Sequence, residues 1–465
     1  MTSKKLFITL FILLAGLTAT ARQKSLHQLQ QEFTDLRFGM FIHFNIPTFA
    51  PDDWPDPDLP PSVFNPTKLD CSQWAKAAKS ANMSYGCLTT KHHSGFCIWD
   101  TKTTDYNVMN SPLRRDVVRE YVDAFRKEGL KVMLYYSILD THHRLRPNMI
   151  TLDKIAMIKA QLRELLTNYG PITALIIDGW DAPWSRISYD DVPFPEIYHF
   201  IKSLQPECLV MDLNAAKYPR EALFYTDIKS YEQGAGQKIS TSENRLPALA
   251  CLPLQQNWFW KESFPTDKMK PAEEMINQNV IPYNKAYCNF ILNVAPNRDG
   301  LMDDNALEEL RKMGKMWKND GRVAELPECD APITERNIAK NRPAESSWSY
   351  DYGIMDFAND DDFVSAWTSN PRVNTPWWSV DLGDGKTIDM VTITEEKGGV
   401  MQEYTLEYRS GGAWKTLFSG EAKTLSRVKI HRFAPVKADA VKVTVTRHDG
   451  TVKIAELGVY TPYKE

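Results

Sequence analysis

The stretch GPITALIIDGWDAPW (170–184) brings carboxylates and indole rings together. An apolar run ends there in Asp178, and the following Gly179 leaves the carboxylate accessible. A carboxylate at the end of a rigid strand can attack an electrophilic carbon and form a covalent intermediate. Two alternatives stay open on spacing alone. Asp178 could instead cap the segment that follows, or Asp181, three residues on, could be the attacking group.

A second carboxyl group is needed if this chemistry is glycoside hydrolysis. One carboxylate then attacks the anomeric carbon, while the other group protonates the leaving oxygen and later activates water. The stretch TDIKSYEQGAGQKISTSEN (226–244) offers Glu232, beside a glycine-containing loop, and Glu243 further along it. We predict Glu232 as the acid/base and Glu243 as the second candidate. The alternatives are that both are solvated loop carboxylates, or that Asp227 at the preceding strand end faces the site.

The stretch TTKHHSGFCIWDTKTTDY (89–106) is dense in hydrogen-bonding and stacking groups. His92 and His93 could donate to sugar hydroxyls, and Trp99 could stack on a sugar face. A histidine pair also suggests a metal, but adjacent residues of a strand point to opposite faces and no carboxylate-rich motif accompanies them. We therefore predict no metal and no other cofactor.

The elements that must position these residues alternate between strands and helices over the first 325 residues or so. Most strand candidates are near-continuous apolar runs, which is typical of parallel strands covered on both faces. This pattern predicts a (β/α)8-like (TIM) barrel, in which strand ends converge on one catalytic rim. The predicted strands are 37–44, 85–93, 131–139, 172–179, 208–213, 222–229, 248–254 and 289–296, and the predicted helices are 71–82, 116–128, 153–169 and 303–318.

The character of the sequence changes after about residue 330. A linker-like stretch (328–348) leads into short, alternating, turn-separated strands with no convincing helix, a pattern that predicts an antiparallel β-sandwich. We predict three parts: a signal peptide at 1–22, a catalytic barrel at 23–328 and the sandwich at 329–465.

Composition and the N-terminus limit the partners and the location. The net charge of −4 gives no reason to invoke nucleic acid. Lys4 and Lys5 precede an apolar run (6–17) and a small-x-small site (19–21), the pattern of a cleaved secretory signal, so we predict a secreted or periplasmic protein without a membrane span. The seven cysteines include no CxxC pair, and their spacing indicates neither a metal site nor a disulfide scaffold. The oligomeric state is not specified.

Five ordered segments resemble the hallmark motifs of glycoside hydrolase family 29, the retaining exo-α-L-fucosidases, which use no metal. They are FGMFIHFNIPTF (38–49), KHHSGFCIWDTKTTDYNV (91–108), GLKVMLYYSILD (129–140), YGPITALIIDGW (169–180) and NFILNVAPNRDG (289–300).

The resemblance implies that Asp178 is the nucleophile and that fucosylated oligosaccharides or glycoconjugates are the substrates. It also implies a fucose pocket lined by His43, His92, His93 and Trp99. To these we add, from position along the chain, Tyr136, Trp180 and Trp258, with Trp184 as a further candidate for the apolar wall.

The sequence departs from the family pattern at points that keep three alternatives open. Ile177 stands where relatives often carry Trp or Phe, and LPALACLPLQQNWFW (246–260) lacks the Glu that many relatives place there. One alternative is an exo-glycosidase of a related sugar such as α-L-galactose. A second is a non-catalytic sugar-binding protein, and the third is a metal hydrolase built on His92 and His93.

The C-terminal third resembles the coagulation factor 5/8 type C, or discoidin-like, sandwich. In carbohydrate enzymes this module often binds sugar, so we predict a possible carbohydrate-binding module. Trp348, Trp367 and Trp377 are each open to a core or a contact role.

Overall fold

The computed structural model describes residues 23–350, 354–424 and 426–463. The predicted signal peptide, residues 1–22, lies outside the described residues. In the part of the chain that is described, no helix is both long and apolar enough to cross a membrane.

The N-terminal unit contains an eight-stranded parallel sheet that curves into a barrel. Its strands run in the order β5-β4-β3-β2-β1-β8-β7-β6, so β5 and β6 are the two edges. The predicted barrel is thus confirmed, with a seam between these edges. The strands are β1 (Phe38–Ile42), β2 (Tyr85–Lys91), β3 (Lys131–Ser137), β4 (Ala174–Asp178), β5 (Leu209–Asp212), β6 (Lys229–Glu232), β7 (Ala248–Pro253) and β8 (Cys288–Asn293).

Helices cover the outside of this sheet. The four predicted helices are present, and α3 shows why they form: Asp116 caps its first turn by accepting from the Arg119 amide, while Tyr121 and Phe125 are buried against the sheet. The helices are α1 (Leu26–Leu36), α2 (Cys71–Ser80), α3 (Val117–Lys127), α4 (Leu152–Thr167), α5 (Phe194–Leu204), α6 (Ala272–Glu274), α7 (Ile281–Lys285) and α8 (Asp304–Met316), with a π-helical segment (Met275–Val280) joining α6 to α7.

The predicted position of the sixth strand was wrong. The stretch 222–229 was expected to form it, but β6 begins only at Lys229. Residues before Lys229 have other partners: Phe224 forms a β-bridge with Ile333, and Tyr225 has a left-handed backbone (φ 54°). Asp227 bridges to β5, with its amide donating to Val210 O at 2.8 Å. The later start places Glu232 at the strand tip rather than in the loop beyond it.

The C-terminal unit is the predicted antiparallel β-sandwich. Two of its strands, β11 and β14, are longer than the short strands expected, and their shared ladder continues across register shifts. Its core encloses the indoles of Trp367 and Trp378. The strands are β9 (Ala344–Ser346), β10 (Trp367–Thr368), β11 (Trp377–Glu395), β12 (Met401–Ser410), β13 (Ala413–Glu421), β14 (Val428–His448) and β15 (Lys453–Tyr460).

The two units share an apolar contact. Phe363 of the sandwich packs edge-on against Tyr218 and Phe224 of the barrel, with ring centroids 5.5 and 5.3 Å away. The barrel core is continuous through Phe363 to Tyr460 of β15. The predicted limits of the two units, 23–328 and 329–465, stay a prediction.

Candidate active site

A cavity of about 180 Å³ opens at the carboxyl ends of the barrel strands. The strand ends of β1, β2, β4, β5 and β6 each contribute to its lining, which explains how residues far apart in sequence meet there. The lining residues are Phe41, His43, Asp53, Trp54, His92, His93, Asp178, Trp184, Leu213, Glu232, Trp258 and Phe259.

Asp178, the last residue of β4, is held by hydrogen bonds on both oxygens. Oδ1 accepts from the Gly179 amide at 2.7 Å and from Asn214 Nδ2 at 2.9 Å, and Oδ2 accepts from the Tyr135 hydroxyl at 2.6 Å. Gly179 has φ 104°, and a Cβ there would lie 3.0 Å from the Leu139 amide nitrogen, so glycine suits this turn. The carboxylate is fixed at the cavity wall and does not cap a helix.

Glu232, the last residue of β6, lines the same cavity and has a different environment. Its amide donates to Gln237 Oε1 at 2.8 Å, which fixes the strand tip. Burial, reinforced by the negative charge of Asp178, raises the pKa of Glu232 to about 7, although a hydrogen bond with Trp258 acts against this. Two carboxyl groups of one cavity thus differ in environment, as acid and nucleophile must.

His43 and His93 present acceptor nitrogens. Asn293 donates its Nδ2 to Trp258 O, so its Oδ1 accepts from His43 Nδ1–H at 2.8 Å. Likewise Ser137 donates to Leu139 O and so accepts from His93 Nδ1–H at 2.7 Å. Burial lowers the pKa of His43 to about 3 and that of His93 to about 4. Both rings are therefore neutral, and each Nε2 can accept a hydrogen bond.

His92 and His93 do not point to opposite faces, contrary to expectation. Strand β2 ends at Lys91, so both histidines lie beyond it, with ring centroids 3.9 Å apart in the same cavity. Burial also lowers the pKa of His92. Within the described ranges, no group of three or more His, Cys, Asp or Glu side chains is arranged to hold a metal ion.

Four predicted site residues lie away from the cavity. Trp99 is fully buried, and its indole donates to Glu164 of α4 at 2.9 Å. Trp180 is also buried, and it donates to Val192 O at 2.9 Å. Both indoles are therefore core residues.

The other two are Tyr136 and Glu243. The Tyr136 hydroxyl donates to Gln161 of α4 at 2.6 Å, on the outer side of the sheet. Glu243 is an exposed loop carboxylate paired with Arg220 at 2.5 Å. The predicted second acid candidate is thus outside the site, whereas Trp258 lines the cavity as predicted.

Sequence reasoning missed some cavity residues, Trp54 and Asp53 among them, although it had named Trp184 as a candidate for the apolar wall. Trp54 stacks on His93 with ring centroids 4.8 Å apart, and Trp184 contacts the same ring at 4.4 Å. The two indoles are 49% and 42% exposed, so they form the mouth of the cavity. Asp53 lines it beside them and is paired with Lys261 at 2.7 Å. The signal for Trp54 was present, since a Trp between carboxylates and prolines in a long loop has no core strand to join.

The parallel barrel with a carboxyl pair, neutral imidazoles and indoles in a cavity of monosaccharide size defines a glycoside hydrolase. The chain belongs to the alpha-L-fucosidase family, whose sequence model matches residues 52–322. A model of the F5/8 type C domain matches residues 343–457, in agreement with the C-terminal resemblance.

Individual relatives are similar over most of the chain. Alpha-L-fucosidase 1 of Arabidopsis thaliana is 28% identical over 94% of this chain and 87% of its own length. Plasma alpha-L-fucosidase of Homo sapiens is 24% identical over 63% of this chain and 68% of its own length. Among solved structures, alpha-L-fucosidase isoenzyme 1 from Paenibacillus thiaminolyticus superposes with a TM-score of 0.54 at 24% identity, covering 91% of this chain and 100% of that one. This structural likeness shows the fold.

Proposed function

We propose that this protein is a retaining exo-α-L-fucosidase in which Asp178 is the nucleophile and Glu232 the acid/base. The observation that carries the proposal is the unequal carboxyl pair of one cavity. Asp178 accepts hydrogen bonds from three donors, whereas burial raises the pKa of Glu232 and favours its protonated form. The names of the relatives supply the sugar, and a cavity of about 180 Å³ favours a single terminal residue.

The reaction then proceeds in two balanced steps. Asp178 bonds to the anomeric carbon as the glycosidic bond breaks, and Glu232 gives its proton to the departing oxygen. In the second step Glu232 takes a proton from water, whose oxygen displaces Asp178 from the anomeric carbon. Two inversions give net retention of configuration.

The lining supports L-fucose over α-L-galactose as the bound sugar. Phe41, Leu213 and Phe259 present apolar surface in the cavity, which suits a methyl group better than a hydroxymethyl group. His43 and His93 offer neutral acceptors for sugar hydroxyls on another side. Fucosylated oligosaccharides or glycoconjugates are the proposed natural substrates.

The test is release of nitrophenol from 4-nitrophenyl α-L-fucoside by residues 23–465. We expect turnover by the wild type and a loss of at least about 10⁴-fold for Asp178→Ala. Glu232→Gln should fail on fucosylated oligosaccharides, while Glu243→Gln, the matched exposed carboxylate, should retain activity. NMR of the first-formed anomer should show retention.

Other outcomes would favour a different function. An inert wild type that still binds L-fucose would make the protein a sugar-binding protein. Faster release of nitrophenol from the α-L-galactoside than from the α-L-fucoside would make α-L-galactose the assigned sugar. Loss of activity with a chelator would favour the metal hydrolase.

We also propose that the protein is secreted or periplasmic, on the sequence pattern of residues 1–22. Expression of the full chain with its leader should give a mature N-terminus near Arg22 or Gln23. An intact Met1 on the accumulated protein would contradict this.

A further inference from the structure

A line of hydrogen bonds leads away from Asp178 on the side opposite Tyr135. Asn214 donates its side-chain amide to Asp178 Oδ1 at 2.9 Å, and its backbone amide donates to Asp212 Oδ1, also at 2.9 Å. Asp212 Oδ2 in turn accepts from the Tyr189 hydroxyl at 2.5 Å. We call this line, Tyr189–Asp212–Asn214, the support line.

The support line is itself rigidly held. Asp212 is the last residue of β5 and is completely buried, and its amide donates to Thr226 Oγ1 at 3.2 Å. The ring of Tyr189 stacks on Tyr225 with centroids 4.0 Å apart and planes 13° apart. Asn214 therefore receives its backbone position from a buried carboxyl group that cannot easily move.

The two oxygens of Asp178 have unequal partners. Oδ1 accepts from two donors, Asn214 and Gly179, whereas Oδ2 accepts from Tyr135 and lies 3.7 Å from His93 Nε2. Since Oδ1 is doubly hydrogen-bonded, Oδ2 is the oxygen with lone-pair density left for attack. The side-chain amide of Asn214 is therefore one of the two donors that make the oxygens of Asp178 unequal.

We propose that Asn214, itself fixed by Asp212 and Tyr189, is a positioning residue that holds the Asp178 carboxylate with Oδ2 turned to the cavity. This proposal rests on the proposed function of Asp178 as nucleophile. Asn214 does not line the cavity, so it acts through Asp178 and not on the sugar.

The charge state of Asp212 is compatible with this arrangement. Burial raises the pKa of Asp212 to about 7, and the negative charge of Asp178 adds to the effect, although hydrogen bonds from Tyr189 and Asn214 oppose it. Near neutral pH Asp212 is therefore protonated for part of the time, which reduces its repulsion of Asp178. Asn214 supplies two neutral donors, its side-chain amide to Asp178 and its backbone amide to Asp212, and so bridges the carboxyl groups without adding charge.

A structural role for the support line predicts different kinetics from a positioning role. Loss of a purely structural bond lowers stability but leaves the kcat of the folded enzyme unchanged. Loss of positioning lowers kcat and leaves KM nearly unchanged, because sugar contacts persist and only the attack geometry is disturbed.

The experiment compares Asn214→Ala, Asn214→Asp and Tyr189→Phe with a matched control, Tyr198→Phe. Tyr198 also donates from its hydroxyl to a buried carboxylate, Asp227 Oδ1, at 2.8 Å, but Asp227 has no bond to Asp178. Each variant is assayed on 4-nitrophenyl α-L-fucoside, its affinity for L-fucose is measured by calorimetry, and its crystal structure shows the Asp178 rotamer.

For Asn214→Ala we expect kcat to fall about 10- to 100-fold, with L-fucose affinity within about threefold of wild type. Asn214→Asp should be at least as impaired, since it keeps the shape but removes the donor. Tyr189→Phe should lose about threefold to tenfold in kcat, and Tyr198→Phe should match wild type.

The proposal is overturned if Asn214→Ala keeps wild-type kcat, if Tyr198→Phe loses as much as Tyr189→Phe, or if Asp178 keeps its orientation in the Asn214→Ala crystal. An inert wild type would instead remove the proposed function, and the Asp178 rotamer would still test the positioning.

Discussion

At the scale of single residues, Glu232 shows how burial prepares a side chain for a role. A strand-tip carboxyl group near another carboxylate retains its proton to higher pH than a solvated one, since both burial and like charge disfavour ionisation. The raised pKa of Glu232 thus makes an acid available near neutral pH.

The first prediction is a basic limb in the activity profile. The acid must be protonated for the first step, so kcat/KM on a fucosylated oligosaccharide should fall as pH rises through about 7. Measurement of initial rates between pH 5 and 9 checks this, and Glu232→Gln should abolish the limb along with most activity. A flat profile to pH 9 would argue against Glu232 as the acid.

A second prediction separates two neighbouring tyrosines. Tyr135 donates to the nucleophile, so Tyr135→Phe should lower kcat about tenfold. Tyr136 instead contacts Lys91 and Gln161, so Tyr136→Phe should lower the melting temperature and leave kcat close to wild type. Kinetics together with thermal unfolding distinguish the two, and equal kinetic losses would contradict the assignment.

This pair also shows which residue roles were readable from sequence. Asp178 follows an apolar run and precedes Gly, so its location was predictable. Tyr136 was chosen in place of Tyr135 because a strand buried on both faces lacks the alternation that reveals which side chains point inward. For the same reason Trp99 and Trp180, both core indoles, could not be told from cavity indoles.

At the scale of elements, a buried ion pair secures the turn that carries His92 and His93. Lys91 at the tip of β2 lies 3.2 Å from Asp140, and both side chains are fully buried. Asp140 also accepts from His143 Nδ1 at 2.8 Å. Burial alone would raise the pKa of Asp140, but the charge of Lys91 and the bonds from His143 outweigh it and lower the pKa to about 2.

The third prediction is that Asp140→Ala destabilises the protein by about 3–5 kcal/mol, because it leaves a buried ammonium unpaired. Denaturant unfolding measures this, with Asp100→Ala as the control, since Asp100 pairs with Lys102 at the surface. Because the folded pKa of Asp140 is depressed, its contribution is full above the unfolded value of about 3.9 and is lost as pH falls toward 2. Equal effects of the two variants would contradict this.

The positions of strands and helices could be predicted from the sequence where a segment is buried against one neighbouring element only. Helices α2, α3, α4 and α8 follow their 3.6-residue periods closely. Strand β6 was misplaced because residues 222–228 are buried for another reason: they contact residues after 330 and bridge to β5. A pattern of apolar residues indicates that a segment is buried, but it does not indicate which element the segment packs against.

At the scale of the whole molecule, the sandwich packs a side chain against aromatic residues on the surface of the barrel. Phe363 is nearly buried against Tyr218 and Phe224, and Arg427 donates to Phe363 O. The fourth prediction is that Phe363→Ala lowers the stability by about 3 kcal/mol, through lost burial and the cavity left behind. The control is Phe357→Ala, because Phe357 is an exposed phenylalanine of the same unit.

Thermal unfolding with an activity assay tests this contact. We expect Phe363→Ala to melt earlier than Phe357→Ala and to retain activity well below its melting temperature. Equal melting of both variants would show that the contact does not link the units. The existence of two units was predictable from the change of pattern near residue 330, but their contact was not, since it joins residues far apart in sequence.

The seam between β5 and β6 has a mechanical consequence. A barrel whose hydrogen-bond ladder is interrupted between two strands can widen there while its other strand pairs stay hydrogen-bonded. Asp178 is on β4 and Glu232 is on β6, so the seam between β5 and β6 lies between the two reacting groups. A retaining enzyme needs its carboxyl groups about 5–5.5 Å apart. Across the seam, Thr226 Oγ1 accepts from the Asp212 amide and Asp227 Oδ2 accepts from the Val210 amide, so side-chain hydrogen bonds join the two edge strands where the other neighbouring strands share a ladder.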